Sequence, residues 1–392
     1  MVGGSYTTTR HERHMKERMN EKGGIMSVTM KRSRLYIPVL LTIVLLVVSQ
    51  MVACTGRPRN VILLIGDGMG VAHLTFGHLT TGGLNAERMP VGGLIKTFPF
   101  GGMVTDSAAS GTAMATGHKT RNSMISISPE GDTLRTVLEY AEKRGMATGL
   151  VATSQITHAT PASFAAHVTD RKMEEEIALQ MTGSGVDVLI GGGWSYFVSE
   201  EIAGSRRKDD INLVSRLKER MPVVRSVDKL MELEGASAVA AFLAPLDCPQ
   251  AKDRDYSLAE LTSRAIEILS SGRNGFFLMV EGSQIDWAAH DNDDDGIFYE
   301  MKDFDGAVGA ALDFAENDGN TLVIMTADHE TGGFALHDST THSSRMVDPV
   351  FSTDEHTMEM VPIFAFGPGA EAFGGIHDNT FIGVTLIEYL GK

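Results

Sequence analysis

Residues 60–66, "NVILLIG", run apolar from Val61 to Ile65, and Asp67 follows at once. A strand with one wet face alternates polar and apolar residues, so an unbroken apolar run belongs to a strand covered on both faces, as in parallel sheets flanked by helices. Runs of the same kind recur as "ATGLVAT" at 147–153, "VDVLIGGG" at 186–193, "GFFLMVEG" at 275–282, "TLVIMTAD" at 321–328 and "VPIFAFGPG" at 361–369. Between them, "TLRTVLEYAEKRG" (133–145), "SLAELTSRAIEILSSG" (257–272) and "FYEMKDFDGAVGAALDFAEN" (298–317) carry helical spacing, and Ser257 with Glu260 makes a capping box. The alternation predicts an α/β fold with a mostly parallel central sheet and helices on both faces. No repeat, low-complexity block or long linker divides residues 55–392, which predicts one domain. The least regular stretch, 334–355, is expected to be loop or a small cap.

Polar residues gather just past these runs. Asp67 follows the first, His158 and Thr160 follow the second, Glu281 ends another, and Asp328 with His329 ends the next. In open α/β sheets ligands bind at that edge. Asp286 and His290 add a carboxylate and an imidazole at i, i+4, which share a face if the turn is helical. Carboxylate, imidazole and hydroxyl donors without cysteine suit Zn²⁺ in nitrogen and oxygen sites and the harder Mg²⁺ among oxygens. Two such ions a few ångströms apart can hold the attacking and leaving oxygens of a displacement at phosphorus.

Residues 104–117, "VTDSAASGTAMATG", admit two readings. The small residues suit a helix packed close against its neighbours, with Asp106 or Ser107 as an ordinary N-cap. Equally, a hydroxyl at a helix N-terminus faces free N–H groups where an anion would be held, so Ser107 suits a nucleophile. Other motif-like stretches are plainer. "GDGMG" at 66–70 lacks the dinucleotide-binding pattern, and the calcium-loop imitation "DNDDDG" from Asp291 would close on Lys302, which is no calcium ligand. His73, His78, His118, His167, His337, His342 and His377 read as ordinary surface or core histidines.

The chain has 392 residues, 34 of them basic and 50 acidic. Residues 1–34 hold eight of the basic and three of the acidic ones, leaving 26 against 47 in the remainder. So acidic a body argues against a nucleic acid partner, and it repels anionic substrates unless local cations reverse the field. Residues 35–54, "LYIPVLLTIVLLVVSQMVAC", follow that basic stretch and predict an export signal or a membrane anchor. Translation from Met30 would leave a signal of ordinary length, which places most of the basic region 1–34, residues 1–29, upstream of the expected start. "MVAC" resembles a bacterial lipobox, so Cys54 either carries lipid or belongs to an uncleaved anchor. The other cysteine, Cys248, reads as a packed, inert residue, so no internal disulfide is expected.

"LLIGDGMG" (63–70), "TDSAASGTAMATG" (105–117), "THATPASFAAHVTDRK" (157–172), "VEGSQIDWAAH" (280–290), "TADHETGG" (326–333) and "DEHTMEMVPIFAFGPGA" (354–370) together resemble bacterial alkaline phosphatases, in the same order along the chain. The resemblance covers residues 58–390. It implies an alkaline-phosphatase-like fold and hydrolysis of phosphate monoesters through a phosphoserine on Ser107. It further implies two Zn²⁺, one held by Asp286, His290 and His356 and the other by Asp67, Ser107, Asp328 and His329. Asp67, Thr160 and Glu281 resemble the ligands of a third site that holds Mg²⁺ in most relatives. Arg171 matches the arginine that grips phosphate, with Asp106 orienting it. Relatives are often dimers, which implies a homodimer.

Two positions depart from the best-known enterobacterial pattern. His158 stands where that relative has Asp, and Trp287, beside the substrate, stands where it has Lys. An imidazole near the third site makes it softer, so Zn²⁺ or Co²⁺ competes with Mg²⁺ there. The chain between His329 and His356 is also short, which implies a reduced cap. Phosphodiesterase activity is the alternative within the superfamily, and a catalytically silent surface binding protein is the alternative outside it. The expected location is the periplasm or the cell surface, with membrane attachment through residues 35–54 or a lipid on Cys54.

Overall fold

Seven buried residues, Asn60–Gly66, make strand β1, the centre of the molecule. The structure, a computed structural model, describes residues 56–338 and 347–391. The basic segment 1–34, the apolar run 35–54 and His342 therefore lie outside the described residues. The later strands are β2 (Val91–Lys96), β3 (Ala147–Gln155), β4 (Val188–Gly192), β5 (Val223–Val224), β6 (Val239–Phe242) and β7 (Phe276–Gly282). After them come β8 (Thr321–Thr326), β9 (Ala335–Asp338), β10 (Val347–Val350), β11 (Val361–Phe366) and β12 (Gly375–Asp378). The helices are α1 (Val71–Thr81), α2 (Ser107–Thr116), α3 (Val137–Lys143), α4 (Ala159–Ala165), α5 (Glu174–Gly183) and α6 (Leu213–Lys218). They continue as α7 (Val227–Met231), α8 (Leu258–Ser270), α9 (Gln284–His290), α10 (Asp294–Asp318) and α11 (Thr380–Gly391).

Ten strands form one sheet in the order β12-β2-β11-β8-β1-β7-β3-β4-β6-β5. Strand β1 lies parallel between β7 and β8, and β3 continues the parallel set beside β7. Every residue of β1, β7 and β8 is buried, as their unbroken apolar composition requires. Helices α8 and α10 pack on each other and on β7, while α3 and α4 pack on each other and on the same strand, so both faces are covered. The last apolar run, β11, departs from its neighbours: it pairs antiparallel with both β2 and β8. Its sequence could not reveal this, because burial on both faces writes the same apolar run whichever way a strand points.

Local signals set most helix starts. Ser257 and Glu260 do form a reciprocal capping box on α8. Thr136 and Glu139 form another on α3, which begins later than its spacing suggests because Thr133 bridges to Ile127 and Leu134 donates its N–H to Ser126. The "DNDDDG" stretch opens the long helix α10 from Asp294 instead of folding as a calcium loop. Within 334–355, strands β9 and β10 pair antiparallel, so the irregular stretch contributes a small two-stranded sheet. Among the described residues, no helix is long and apolar enough to cross a membrane.

The small-residue stretch becomes α2, with all ten residues buried. It packs against α4 and α11. At its end, a Cβ placed on Gly383 of α11 would lie 2.3 Å from the Gly117 nitrogen and 2.9 Å from the Ala113 carbonyl oxygen. Those are backbone atoms, which cannot rotate away. Gly383→Ala should therefore force the two helices apart and cost about 1–3 kcal/mol. A urea midpoint unchanged from wild type would contradict this close approach.

Candidate active site

Helix α2 begins at Ser107 because Asp106 caps it, accepting the Ala109 N–H at 2.9 Å. Ser107 is 2% exposed, and its Oγ lies 3.4 Å from His329 Nε2. Parallel strands β1, β7 and β8 end together, so Asp67, Glu281 and Asp328 arrive at one edge without any long loop. The chain can turn there because Gly68 has φ +74°, and a Cβ on it would lie 2.8 Å from Asp286 Cα. Helix α9 does form, which sets Asp286 and His290 on one face with Nε2 3.4 Å from Oδ1.

Three groups of donors converge, each with ligand atoms within 4.8 Å of one another: Asp286, His290 and His356; Asp67, Asp328 and His329; and Asp67, His158 and Glu281. In the first, His290 Nδ1 donates to the Asp354 carbonyl and His356 Nδ1 to the Thr105 carbonyl at 2.9 Å. In a neutral imidazole that leaves both Nε2 atoms as acceptors. They face each other at 3.1 Å, with Asp286 Oδ1 3.5 Å from the second, so the two imidazole lone pairs meet with no proton between them. A cation answers that arrangement.

The second and third groups lie deeper. Asp67, Glu281, Asp328, His329 and Thr160 are all 0% exposed. Both oxygens of Asp67, Oε1 of Glu281, Oδ2 of Asp328 and the Thr160 hydroxyl lack any hydrogen-bond partner. Buried polar atoms are almost always partnered in proteins, so five such atoms in one place mark donors shaped for a ligand. Burial raises Asp67 well above the usual carboxylate range, with repulsion from Asp328 adding to it. Asp328 is raised by the same burial, and Glu281 is pushed up to about 7. Burial also holds His329 well below its ordinary value. These residues fit Zn²⁺ and Mg²⁺ by donor chemistry, the first group by its imidazoles and the third by its oxygens.

Arg171 reaches in from the loop after α4. Its Nη1 lies 3.4 Å from Asp106 Oδ2, and its Nη2 is 3.0 Å from His158 Nε2. The same Asp106 oxygen accepts the Ser123 N–H at 2.9 Å, and the Arg171 N–H donates to the Ser123 carbonyl at 2.7 Å. Arginine stays protonated, so His158 must accept at Nε2, and burial, then Arg171, pushes its pKa down to about 3. Trp287 stands edge-on to His158 with ring centroids 6.0 Å apart. The structure thus brings together every residue singled out in the sequence for the site. Sequence reasoning missed Thr331, whose hydroxyl donates to Asp286 Oδ1 and approaches His329 Nδ1, and the Ser154 and Ser283 pair beside Glu281. Thr331 and Ser283 lie inside the "TADHETGG" and "VEGSQIDWAAH" stretches, and Ser154 directly follows the run at 147–153, and only those positions could have drawn attention to them. The described histidines set aside stay outside the three donor groups: His73, for example, is buried against Phe334 at 4.6 Å and accepts the Gly70 N–H at Nδ1.

A buried serine at a helix N-terminus, ringed by cation-fitting donors and faced by an arginine, describes a hydrolase of anionic esters on an α/β sheet. The sequence model of the alkaline phosphatase family matches residues 58–350. Alkaline phosphatase 4 of Bacillus subtilis (strain 168) is 34% identical over 407 residues, covering 82% of this chain and 86% of that protein. The solved alkaline phosphatase from the Antarctic bacterium TAB5 superposes with a TM-score of 0.77 at 38% identity, covering 86% of this chain and 98% of that one. A His-to-Asp variant of the TAB5 enzyme with Mg bound in the M3 site gives 0.78 at 38% identity, over 86% and 99% of the two chains. This chain belongs to the alkaline phosphatase family, and it is an enzyme that hydrolyses phosphate monoesters.

Because burial raises Asp67, Asp328 and Glu281, the folded protein without cations holds protons that the unfolded chain has released. Between the usual carboxylate range near pH 4 and the raised folded values, up to about 7 for Glu281, stability from these groups falls as pH rises. Divalent cations held by these donors would take the place of those protons. Added Zn²⁺ and Mg²⁺ should therefore raise the melting temperature of chelator-treated protein more at about pH 8 than at about pH 5. Equal gains at both pH values in scanning calorimetry would contradict the raised carboxylates.

Proposed function

We propose that hydrolysis proceeds through a phosphoserine on Ser107 in a site holding two Zn²⁺ and a third cation. Asp286, His290 and His356 would hold the first zinc, and Asp67, Asp328, His329 and the Ser107 oxygen the second. Asp67, Thr160 and Glu281 would hold the third ion, Mg²⁺ or, with His158 nearby, Zn²⁺ or Co²⁺. The observation that carries this reading is the pair of acceptor Nε2 atoms of His290 and His356, 3.1 Å apart beside the Asp286 carboxylate. Such cations supply Lewis acidity, favouring the serine alkoxide and balancing charge on the departing oxygen.

Ser107 Oγ forms the new bond to phosphorus as the ester oxygen leaves in line with it; water then breaks the Ser107–phosphate bond and releases inorganic phosphate. The N–H groups opening α2 and the guanidinium of Arg171 hold the non-bridging oxygens. Asp106 ties Arg171 to the same helix N-terminus, so both groups approach one phosphate together. Magnesium in the M3 site of the His-to-Asp TAB5 variant supports His158 as the residue that tunes third-site preference here. An arginine fork and a third cation serve a dianionic monoester better than a singly charged diester. We further propose a homodimer, exported and attached to the membrane through residues 35–54 or a lipid on Cys54.

Ser107→Ala should lose trapping of labelled phosphate while still binding metals, and chelation should abolish wild-type activity. Wild-type protein should also cleave p-nitrophenyl phosphate far faster than its bis ester. Labelled phosphate trapped on Ser107→Ala at the wild-type level would identify a different nucleophile, and comparable rates on both esters would favour a phosphodiesterase. Arg171→Ala should weaken substrate and inorganic phosphate together, by about 2 kcal/mol or roughly thirtyfold in the phosphate inhibition constant. An unchanged constant would place Arg171 outside the phosphate site.

A further inference from the structure

The two oxygens of Glu281 live in different surroundings. Oε2 accepts from Ser283 Oγ at 2.7 Å and lies 3.3 Å from Ser154 Oγ, whereas Oε1 has no partner. Both serines are 0% exposed, and their hydroxyls are 3.1 Å apart. A hydroxyl has one proton to give. That of Ser283 goes to Glu281, its shortest contact, while its oxygen accepts the Ser154 N–H at 3.0 Å. The Ser283 N–H in turn donates to Thr153 Oγ1 at 3.0 Å. Ser283 therefore bolts the end of β7 to the end of β3 with Glu281 as part of the joint. The Ser154 proton is in reach of Glu281 Oε2 and, at 3.2 Å, of the Gln155 carbonyl, so its hold on the carboxylate is the weaker.

Apart from the nearby Thr160 hydroxyl, itself a candidate ligand of the third ion, no other hydrogen-bonding group among the described residues holds the carboxylate. A terminal carboxylate torsion is broad and two-fold, so an unpinned Glu281 could turn either oxygen, or both, toward Asp67. The two serine hydroxyls remove that freedom by engaging one oxygen, Oε2, and leaving Oε1 without a partner.

We propose that Ser154 and Ser283 are positioning residues for the third cation: by saturating Oε2, they make Glu281 offer Oε1 alone. This rests on the metal-dependent reading of the site. With His158 Nε2 engaged by Arg171 at 3.0 Å, one oxygen each from Asp67, Thr160 and Glu281 leaves the remaining positions to water, the arrangement Mg²⁺ prefers because it dehydrates reluctantly. Without the serine hydroxyls, Glu281 can turn or chelate with both oxygens, which crowds out water and disfavours Mg²⁺ relative to a less demanding ion.

The test compares wild type with Ser283→Ala, Ser154→Ala, the double variant and Ser283→Thr. It measures Mg²⁺ dissociation constants by titration of the zinc-loaded proteins, zinc content by elemental analysis, and melting temperature after chelation. The double variant should bind Mg²⁺ about tenfold to a hundredfold more weakly, the range seen when such supporting groups are lost, with zinc content unchanged. Ser283→Ala should account for most of that loss, Ser154→Ala for less, and Ser283→Thr, which keeps the hydroxyl, should restore wild-type binding. A lower melting temperature with an unchanged Mg²⁺ constant would assign the serines to structure alone and overturn the proposal. Ser154→Ala, which leaves the Ser283 bridge in place, serves if the double variant does not fold: no weakening there and none in Ser283→Ala likewise overturns it. A wild-type protein that binds zinc but no third ion overturns the reading of the third site and this proposal with it.

Discussion

Four carboxylates, those of Asp67, Glu281, Asp286 and Asp328, are at most 5% exposed and share one edge of the sheet. Burying so much like charge is costly, because each group loses hydration and gains repulsion from the others. Protons can lower the cost at low pH, but they leave the oxygens without function. Cations held as proposed would lower it where protons have left and would turn the same oxygens into a means of holding phosphate. The rest of the molecule is arranged so that this charge is neither relaxed into solvent nor spread along the chain.

Rigidity comes first from the parallel strands. Ile65 stands opposite Glu281 on β7 and opposite Thr326 on β8, so the residues that follow these strands emerge at one level. A carboxylate at a strand end moves only if the sheet moves. Helix α2 then approaches that edge closely because its residues are small, and Ser110 on its inner side donates to the Asp328 carbonyl at 2.7 Å, linking the serine helix to the donor loop.

Orientation comes second, through the atoms that face away from the site. Backbone carbonyls of Asp354 and Thr105 take the Nδ1 protons of His290 and His356, which fixes where their lone pairs point. Ser283 does the same for Glu281, Thr331 for Asp286, and Asp106 for Arg171. His290, His356, Glu281, Asp286 and Arg171 are thus each aimed by an outward hydrogen bond, the usual means of shaping an ion site.

Sequence by itself determined the α/β class, the edge where polar residues gather and, with the family resemblance, the candidate donors. An unbroken apolar run that ends in or leads straight to Asp67, Glu281 or Asp328 sets a carboxylate at the mouth of a buried strand, and the i, i+4 spacing of Asp286 and His290 is a local fact of helix geometry. The stretch around Ser107 taken by itself stayed double-edged, because a capped helix start and a nucleophile look alike in a string of letters, and it was the family resemblance that pointed to the nucleophile. Three features belong to tertiary structure alone. The antiparallel direction of β11 is one, since burial on both faces does not encode direction. The small sheet of β9 and β10 is another, formed by a stretch of weak pattern. The outward partners are the third: Thr331 meets His329 through a local turn, but Thr105 meets His356 across 251 positions, and Ser154 meets Ser283 across 129. Such pairs have no periodicity to announce them, because hydrogen bonds between distant segments depend on where the folded backbone passes and not on what stands next to what in the chain.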